Sequence, residues 1–381
     1  MTEPTIVIAA NAAWNLVNFR AALIRALVEA GYRVVAAAPP DPDAEASLAA
    51  LGCAFVAIPV DSRGLSPVGD MRTLLAFYAL FRRLRPLALL GYTVKPNVYG
   101  SLAARMAGVR TVNNISGLGT AFIRRNWLTL VVKRLYRAGL ARSDVVFFQN
   151  RTDRDEFITA GLVSPRQARL LPGSGIDAAW FAPRPRAPAQ DGSINFLLIA
   201  RLLRDKGVVE YVEAARALRR DNPALRFRIL GFLDVENRTA IKRATVDGWV
   251  AEGAIEFLGA SGDVRPHIAA ADCVVLPSYR EGTSRVLLEA AAMARPLVAT
   301  DVPGCREVVD DGATGLLCAP RDAADLAEKL ARMAALSDAE RTAMGEAGRA
   351  KVMREFDQSI VIGQYLEALD GLPGRHGGAK I

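Results

Sequence analysis

Two carboxylates eight residues apart, Glu281 and Glu289, stand in the stretch SYREGTSRVLLE of residues 278–289. Ionised carboxylates only accept hydrogen bonds, so a pair of them suits a ligand rich in hydroxyl donors, such as a sugar. The run Val274-Val275-Leu276, closed by Pro277, predicts a buried strand. Thr283 is the expected N-cap of a helix carrying Val286, Leu287, Leu288, Ala290 and Ala291. Glu281 then occupies the loop at the strand's C-terminal end and Glu289 lies within the helix. Open α/β sheets bind ligands outside the carboxyl ends of their strands, so this loop is in the right place. After Gly282, the backbone N–H groups of Thr283, Ser284 and Arg285 are expected to face the loop mouth, where the helix dipole stabilises a phosphate.

A cationic partner for that phosphate is found in IARLLRDKG, residues 199–207. Residues 195–200 read as a strand, and Gly207 opens a helix with Val208, Val209, Tyr211, Val212, Ala215 and Leu218 at helical spacing. Arg201 and Lys206 therefore flank a strand-to-helix loop, where a guanidinium and an ammonium can reach a diphosphate. Any of these four charges alone reads more readily as an ordinary solvated side chain. Together, on two βα loops, they describe one anionic, hydroxyl-rich ligand.

An Arg-x4-Lys-Gly loop followed by Glu-x7-Glu resembles the retaining glycosyltransferases of family 4, which have the GT-B fold. The likeness covers nearly the whole chain and is narrowed by WNLVNFR at 14–20, GYTVKPNVYG at 91–100, NNISGLG at 113–119, YREGTSR at 279–285 and VPGCRE at 302–307. These resemble bacterial enzymes that add a sugar, often an N-acetylhexosamine, to a polyprenyl-diphosphate-linked glycan. The resemblance implies α/β architecture with two Rossmann-like domains facing across a cleft, the last helix crossing back onto the first domain. It implies a UDP-sugar donor and no metal or other cofactor. Among site residues it implies Glu289 at the ribose, Glu281 at the donor sugar, and Arg201 and Lys206 at the diphosphate. It also implies the turn around Leu258 at the base, with Gly231 and Asn15 beside the donor. Read from position alone, Lys95 follows a strand end and is placed to meet a phosphate of the acceptor or donor; Arg63 has similar standing, and with Asn114 they are the candidate acceptor contacts. Many relatives carry a histidine near the donor in the first domain, where this chain reads TVNNIS at 111–116.

Alternation of strand and helix patterns supports two β/α halves. Strands are predicted at 5–10, 32–38, 55–60, 87–90, 109–112, 145–149 and 169–171, with a helix at 18–30. A second series follows at 195–200, 227–230, 255–258, 273–276, 297–300 and 315–318. The Pro-rich stretch 184–192 reads as a linker between an acceptor domain, 1–183, and a nucleotide-sugar domain, 193–358; residues 359–381 hold the crossover helix and tail. The first βα turn carries NAAWN rather than a glycine fingerprint, which argues against a nicotinamide enzyme. Asp41-Pro42-Asp43 and Asp153-Arg154-Asp155 match the Asp-x-Asp string of metal-dependent GT-A enzymes. The first falls in a loop and the second in a helical first turn, so both read as local structure. The two histidines, His267 and His376, stand apart from the motifs, which disfavours zinc or a serine triad.

With 381 residues, 51% hydrophobic and 23% charged, the chain has ample core and no apolar run long enough to span a bilayer. Its start, Met-Thr-Glu-Pro, lacks a basic secretory signal, and its four cysteines show no metal or redox spacing, so a cytoplasmic compartment is expected. The net charge of +8 is concentrated: residues 1–183 carry 21 Lys and Arg against 12 Asp and Glu, leaving 27 against 28 beyond. That asymmetry calls for an anionic partner. No nucleic-acid module or aromatic-rich basic stretch is present, so an anionic membrane surface bearing a lipid diphosphate is the expectation. The helix of residues 126–140, with Lys133, Arg134 and Arg137 opposite Trp127, Leu128, Val131, Val132 and Leu135, is the expected contact. Two rivals fit the same pattern: a UDP-sugar 2-epimerase of this architecture and a non-catalytic nucleotide-sugar scaffold.

Overall fold

Beyond their first residue, most strands of the first half are apolar, so both faces must be covered, which a parallel sheet between helices provides. The computed structural model describes residues 3–61, 66–117, 127–185, 192–233 and 237–372. In it the first sheet comprises β1 (Thr5–Ala9), β2 (Arg33–Ala38), β3 (Ala54–Ala57), β4 (Ala88–Tyr92), β5 (Arg110–Ile115), β6 (Val145–Phe148) and β7 (Ala168–Leu170). Their order is β3-β2-β1-β4-β5-β6-β7 with every pairing parallel. Side-chain alternation divides β1 between two cores. Ile6 and Ile8 pack with Leu16, Ile24 and Leu27 of the helix Ala13–Glu29, whereas Val7 and Ala9 pack with Phe77 and Leu80 of the helix Pro67–Leu84. The helix Ala13–Glu29 starts five residues before the predicted 18–30, because its N-cap, Ala12, offers no side-chain acceptor to announce it.

The second sheet comprises β8 (Ile194–Ile199), β9 (Leu225–Leu230), β10 (Glu256–Phe257), β11 (Cys273–Leu276), β12 (Leu297–Thr300) and β13 (Gly315–Cys318), again all parallel, in the order β10-β9-β8-β11-β12-β13. The order reverses between β8 and β11, so the loops that follow these two strands stand side by side at a topological switch point. Both motifs of the sequence reading lie on those loops.

Compact units divide as residues 1–174 with 358–381, and 175–357. The second unit therefore takes in residues 175–183: Ile176 and Phe181 are buried with Val274, Leu287 and Val352. Residues 186–191 of the expected linker lie outside the described residues. The last helix, Gln358–Asp370, returns to the first unit and packs on the helix Ala13–Glu29. Its Tyr365 is fully buried, with its ring centroid 5.0 Å from that of Phe147 and its hydroxyl accepting from Asn114 Nδ2 at 3.0 Å.

Candidate active site

Three loops at the C-terminal edge of the second sheet are locked together by glycines. After β8, the turn Arg204–Lys206 ends at Gly207 in a left-handed conformation, φ 70. A Cβ there would sit 2.0 Å from the carbonyl oxygen of Pro277, the residue that closes β11, so only glycine lets the two loops touch. Asp205 completes the contact: its carbonyl accepts from Tyr279 N at 2.9 Å and from Ser278 Oγ at 3.2 Å. After β12, Gly304 is also left-handed, φ 84, and a Cβ would lie 2.6 Å from Glu281. Glu281 N donates to Pro303 O at 3.1 Å, Ser284 N donates to Gly304 O at 3.0 Å, and Glu307 Oε2 accepts from Gly304 N at 2.6 Å. The 303–307 segment as a brace for this loop was missed in the sequence; its signal was the Pro-Gly pair straight after a strand.

Across this junction Lys206 Nζ pairs with Glu281 Oε1, their side chains 22% and 14% exposed. Two residues to which the resemblance implies separate roles thus meet in one ion pair. Arg201, by contrast, is exposed and has no side-chain hydrogen bond or ion pair among the described residues. Gly231 follows β9 so closely that a Cβ would lie 1.7 Å from Ala200 O; its N–H donates to Gly259 O at 2.7 Å, beside Leu258 in the turn after β10. The segment from Thr239 to Ile241 runs along the Arg201–Lys206 loop, with Arg204 N donating to Thr239 O at 2.8 Å and Ile241 N to Leu202 O at 2.9 Å. That cover over the loop had no pattern in the sequence.

Helix Arg285–Ala292 carries Glu289 beneath these loops. Its N-cap is Ser284, whose Oγ accepts from Leu287 N at 3.3 Å, and this corrects the expected cap, Thr283. The N–H of Ser284 is also taken, by Gly304 O, so it does not face a ligand as expected. Glu289 has a side chain 12% exposed and accepts from Arg285 Nε at 2.8 Å. Burial pushes its carboxyl above the usual glutamate range, and Arg285 opposes that rise. Cys305, on the bracing loop, is fully buried; burial pushes its thiol up, so it stays protonated and unreactive.

Comparison with known proteins gives the family and the fold. Residues 193–335 match the family of group 1 glycosyl transferases, and residues 17–174 match the glycosyl transferase 4-like domain. The chain belongs to this glycosyltransferase family. It is 25% identical over 371 residues to N,N'-diacetylbacillosaminyl-diphospho-undecaprenol alpha-1,3-N-acetylgalactosaminyltransferase of Campylobacter jejuni, covering 93% of this chain and 96% of that one. It is 25% identical over 287 residues to UDP-Gal:alpha-D-GlcNAc-diphosphoundecaprenol alpha-1,3-galactosyltransferase of Escherichia coli, covering 72% and 73%. Sucrose-phosphate synthase from Thermosynechococcus elongatus shares its fold, with a TM-score of 0.80 at 21% identity over 96% of this chain and 98% of that one. The architecture is GT-B.

In the first unit of the glycosyltransferase the expected contacts fare differently. Asn15, in the first turn of the helix Ala13–Glu29, donates from Nδ2 to Asn11 Oδ1 at 2.9 Å, just past the carboxyl end of β1. Lys95 is buried against Asp70 at 2.7 Å, and Tyr99 donates to the same carboxylate at 2.8 Å, so its charge already has a partner. Asn114 is fully buried, tied to Tyr365 and accepting from Gln149 at 3.5 Å, and so joins the last helix to the sheet. Arg63 lies outside the described residues. Asp41 caps the helix Pro42–Ala50, and Asp153 is buried in the first turn of Arg151–Thr159, so both Asp-x-Asp strings are local structure.

Proposed function

We propose that this glycosyltransferase moves a hexose or N-acetylhexosamine from a UDP-sugar, with retention, to a sugar carried on a polyprenyl diphosphate. The carrying observation is the junction of Arg201, Lys206 and Glu281 on adjacent loops at a strand switch, with Glu289 on the helix that follows. It sets cations where a leaving diphosphate needs charge compensation and carboxylates where hydroxyls need acceptors. The Campylobacter and E. coli relatives are named for lipid-diphosphate-linked acceptors, and the latter for a UDP-sugar, which supports the same chemistry here. Arg201 and Lys206 take the place of a metal in this reading, so transfer proceeds without one. Nothing in the comparisons favours the epimerase. The test is UDP release with diphospho-undecaprenol-linked sugars as acceptors. Activity persists in EDTA and the new linkage keeps the donor's anomeric configuration; loss in EDTA restored by Mn²⁺, or an inverted linkage by NMR, refutes the mechanism.

Such an acceptor lies in a membrane, and no helix among the described residues is long and apolar enough to cross one. Peripheral attachment to the cytoplasmic face is therefore part of the proposal. The helix Trp127–Leu140 is less suited to it than its pattern suggested. Val132, Tyr136 and Leu140 are buried with Val146 and Phe148, Lys133 lies 3.7 Å from Glu156, and Arg137 Nε donates to Gly161 O. The side chains of Trp127 and Leu128 lie outside the described residues. The helix Pro67–Leu84 is the better candidate. Val68, Met71 and Leu75, 65%, 55% and 53% exposed, share one face with exposed Arg72, Arg82 and Arg83, and the helix's single acid, Asp70, is buried. Each arginine near an anionic leaflet contributes about 1 kcal/mol, so replacing all three by Gln weakens vesicle binding roughly 100-fold at low salt. Flotation with phosphatidylglycerol vesicles measures this; binding unchanged in that triple variant and in Met71→Glu/Leu75→Glu rules this face out.

A further inference from the structure

Glu289 is a largely buried carboxylate of the site, and a single side chain supports it. Arg285, one turn earlier, donates from Nε to Glu289 Oε1 at 2.8 Å and from Nη1 to the carbonyl of Gly175 at 3.0 Å. Gly175 is left-handed, φ 71, and its neighbour Ile176 is fixed in turn by donating to Phe356 O at 2.9 Å. Glu289 Oε2 has no hydrogen-bond partner among the described residues. Helix stability does not account for this arrangement. Arg285 is the first residue of its helix, where the dipole disfavours a cation. The pair also runs Arg-then-Glu at i,i+4, the less stabilising order.

We propose that Arg285 is a positioning residue for donor binding: anchored on the Gly175 carbonyl, it holds one Glu289 oxygen and leaves the other free to accept from the ribose hydroxyls of a nucleotide. This rests on the reading that Glu289 is the ribose acceptor. Burial alone would let Glu289 keep its proton to higher pH, and the guanidinium is what opposes this. Without Arg285 the carboxyl is both unanchored and protonated across a wider acid range, so the defect is largest at low pH and shrinks as Glu289 ionises.

Calorimetric binding of UDP at pH from about 5.5 to 8.5 tests this, read as the ratio of variant to parental Kd, in which UDP's own titration cancels. Arg285→Met is expected to weaken UDP roughly 10-fold at the acid end, with the ratio falling as pH rises. Arg285→Lys, which keeps a charge but cannot grip both partners in a fork, recovers part of the loss. It also carries the pH test if the methionine variant does not fold. A ratio below twofold throughout, or one flat with pH, overturns the proposal. Should Glu289→Gln leave UDP affinity at the parental value, or the parent fail to bind UDP, the donor reading falls and takes this role with it. Affinity lost in Glu289→Gln but kept in Arg285→Met refutes Arg285 alone.

Discussion

Arg201→Ala is expected to lower transfer about 100-fold or more while leaving the melting temperature almost unchanged. The two halves of that expectation have separate causes. Arg201 is exposed and has no side-chain partner among the described residues, so removing it breaks no internal bond and uncovers no buried charge. A charge-assisted hydrogen bond is worth about 1.5–3 kcal/mol, and a fixed donor that meets charge developing on a leaving group contributes about 10²–10³ in rate. Lys206→Ala is a poorer probe of the same idea. It strips the partner from Glu281, whose side chain is only 14% exposed, and so mixes loss of function with loss of stability. Steady-state UDP release and thermal melting on the purified Arg201→Ala protein decide the matter. A variant that keeps more than a third of the parental rate places the diphosphate elsewhere.

What could be read in advance was whatever depends on local pattern. All thirteen strands predicted from apolar runs are present, their ends within three residues of the predicted ones, because a buried parallel strand needs little beyond apolar side chains and a breaker. The two motif loops were legible for the same reason: each is a strand end followed by a helix start. What escaped depends on partners distant in sequence. Lys95 ends like any phosphate-seeking lysine after a strand, and only the packing of the helix Pro67–Leu84 brings Asp70 within 2.7 Å of it. Asn114 sits in a polar run of β5, and Tyr365, 251 residues away, supplies its partner. The Thr283-to-Ser284 shift of the cap is a one-residue choice between two good capping side chains, settled by Gly304 O claiming the Ser284 amide. The stretch from Pro303 to Glu307 carries part of the family likeness, but its role as a brace shows only once β12 lies beside β11.

Gly207→Ala is expected to cost both fold stability and activity, and the two effects can be separated. A Cβ at this position would stand 2.0 Å from Pro277 O, and the residue is held at φ 70. The left-handed conformation costs an L-residue about 1–2 kcal/mol, and forcing two loops apart adds about 1–3 kcal/mol of overpacking. For a unit of this size the sum lowers Tm by roughly 10 °C. Gly253→Ala is the control: it has a similar φ, 73, but a Cβ there would meet nothing within 4 Å, so it bears the conformational cost alone and about a third of the shift. Activity should divide the pair more sharply. Relief of the clash moves the Arg201–Lys206 loop away from Ser278–Glu281, and a displacement near 1 Å at a diphosphate clamp costs about 100-fold in rate. Assays run well below both melting transitions exclude unfolding as the cause. Should Gly207→Ala and Gly253→Ala lose stability equally and both retain parental UDP release, the contact between the two loops does not organise the site.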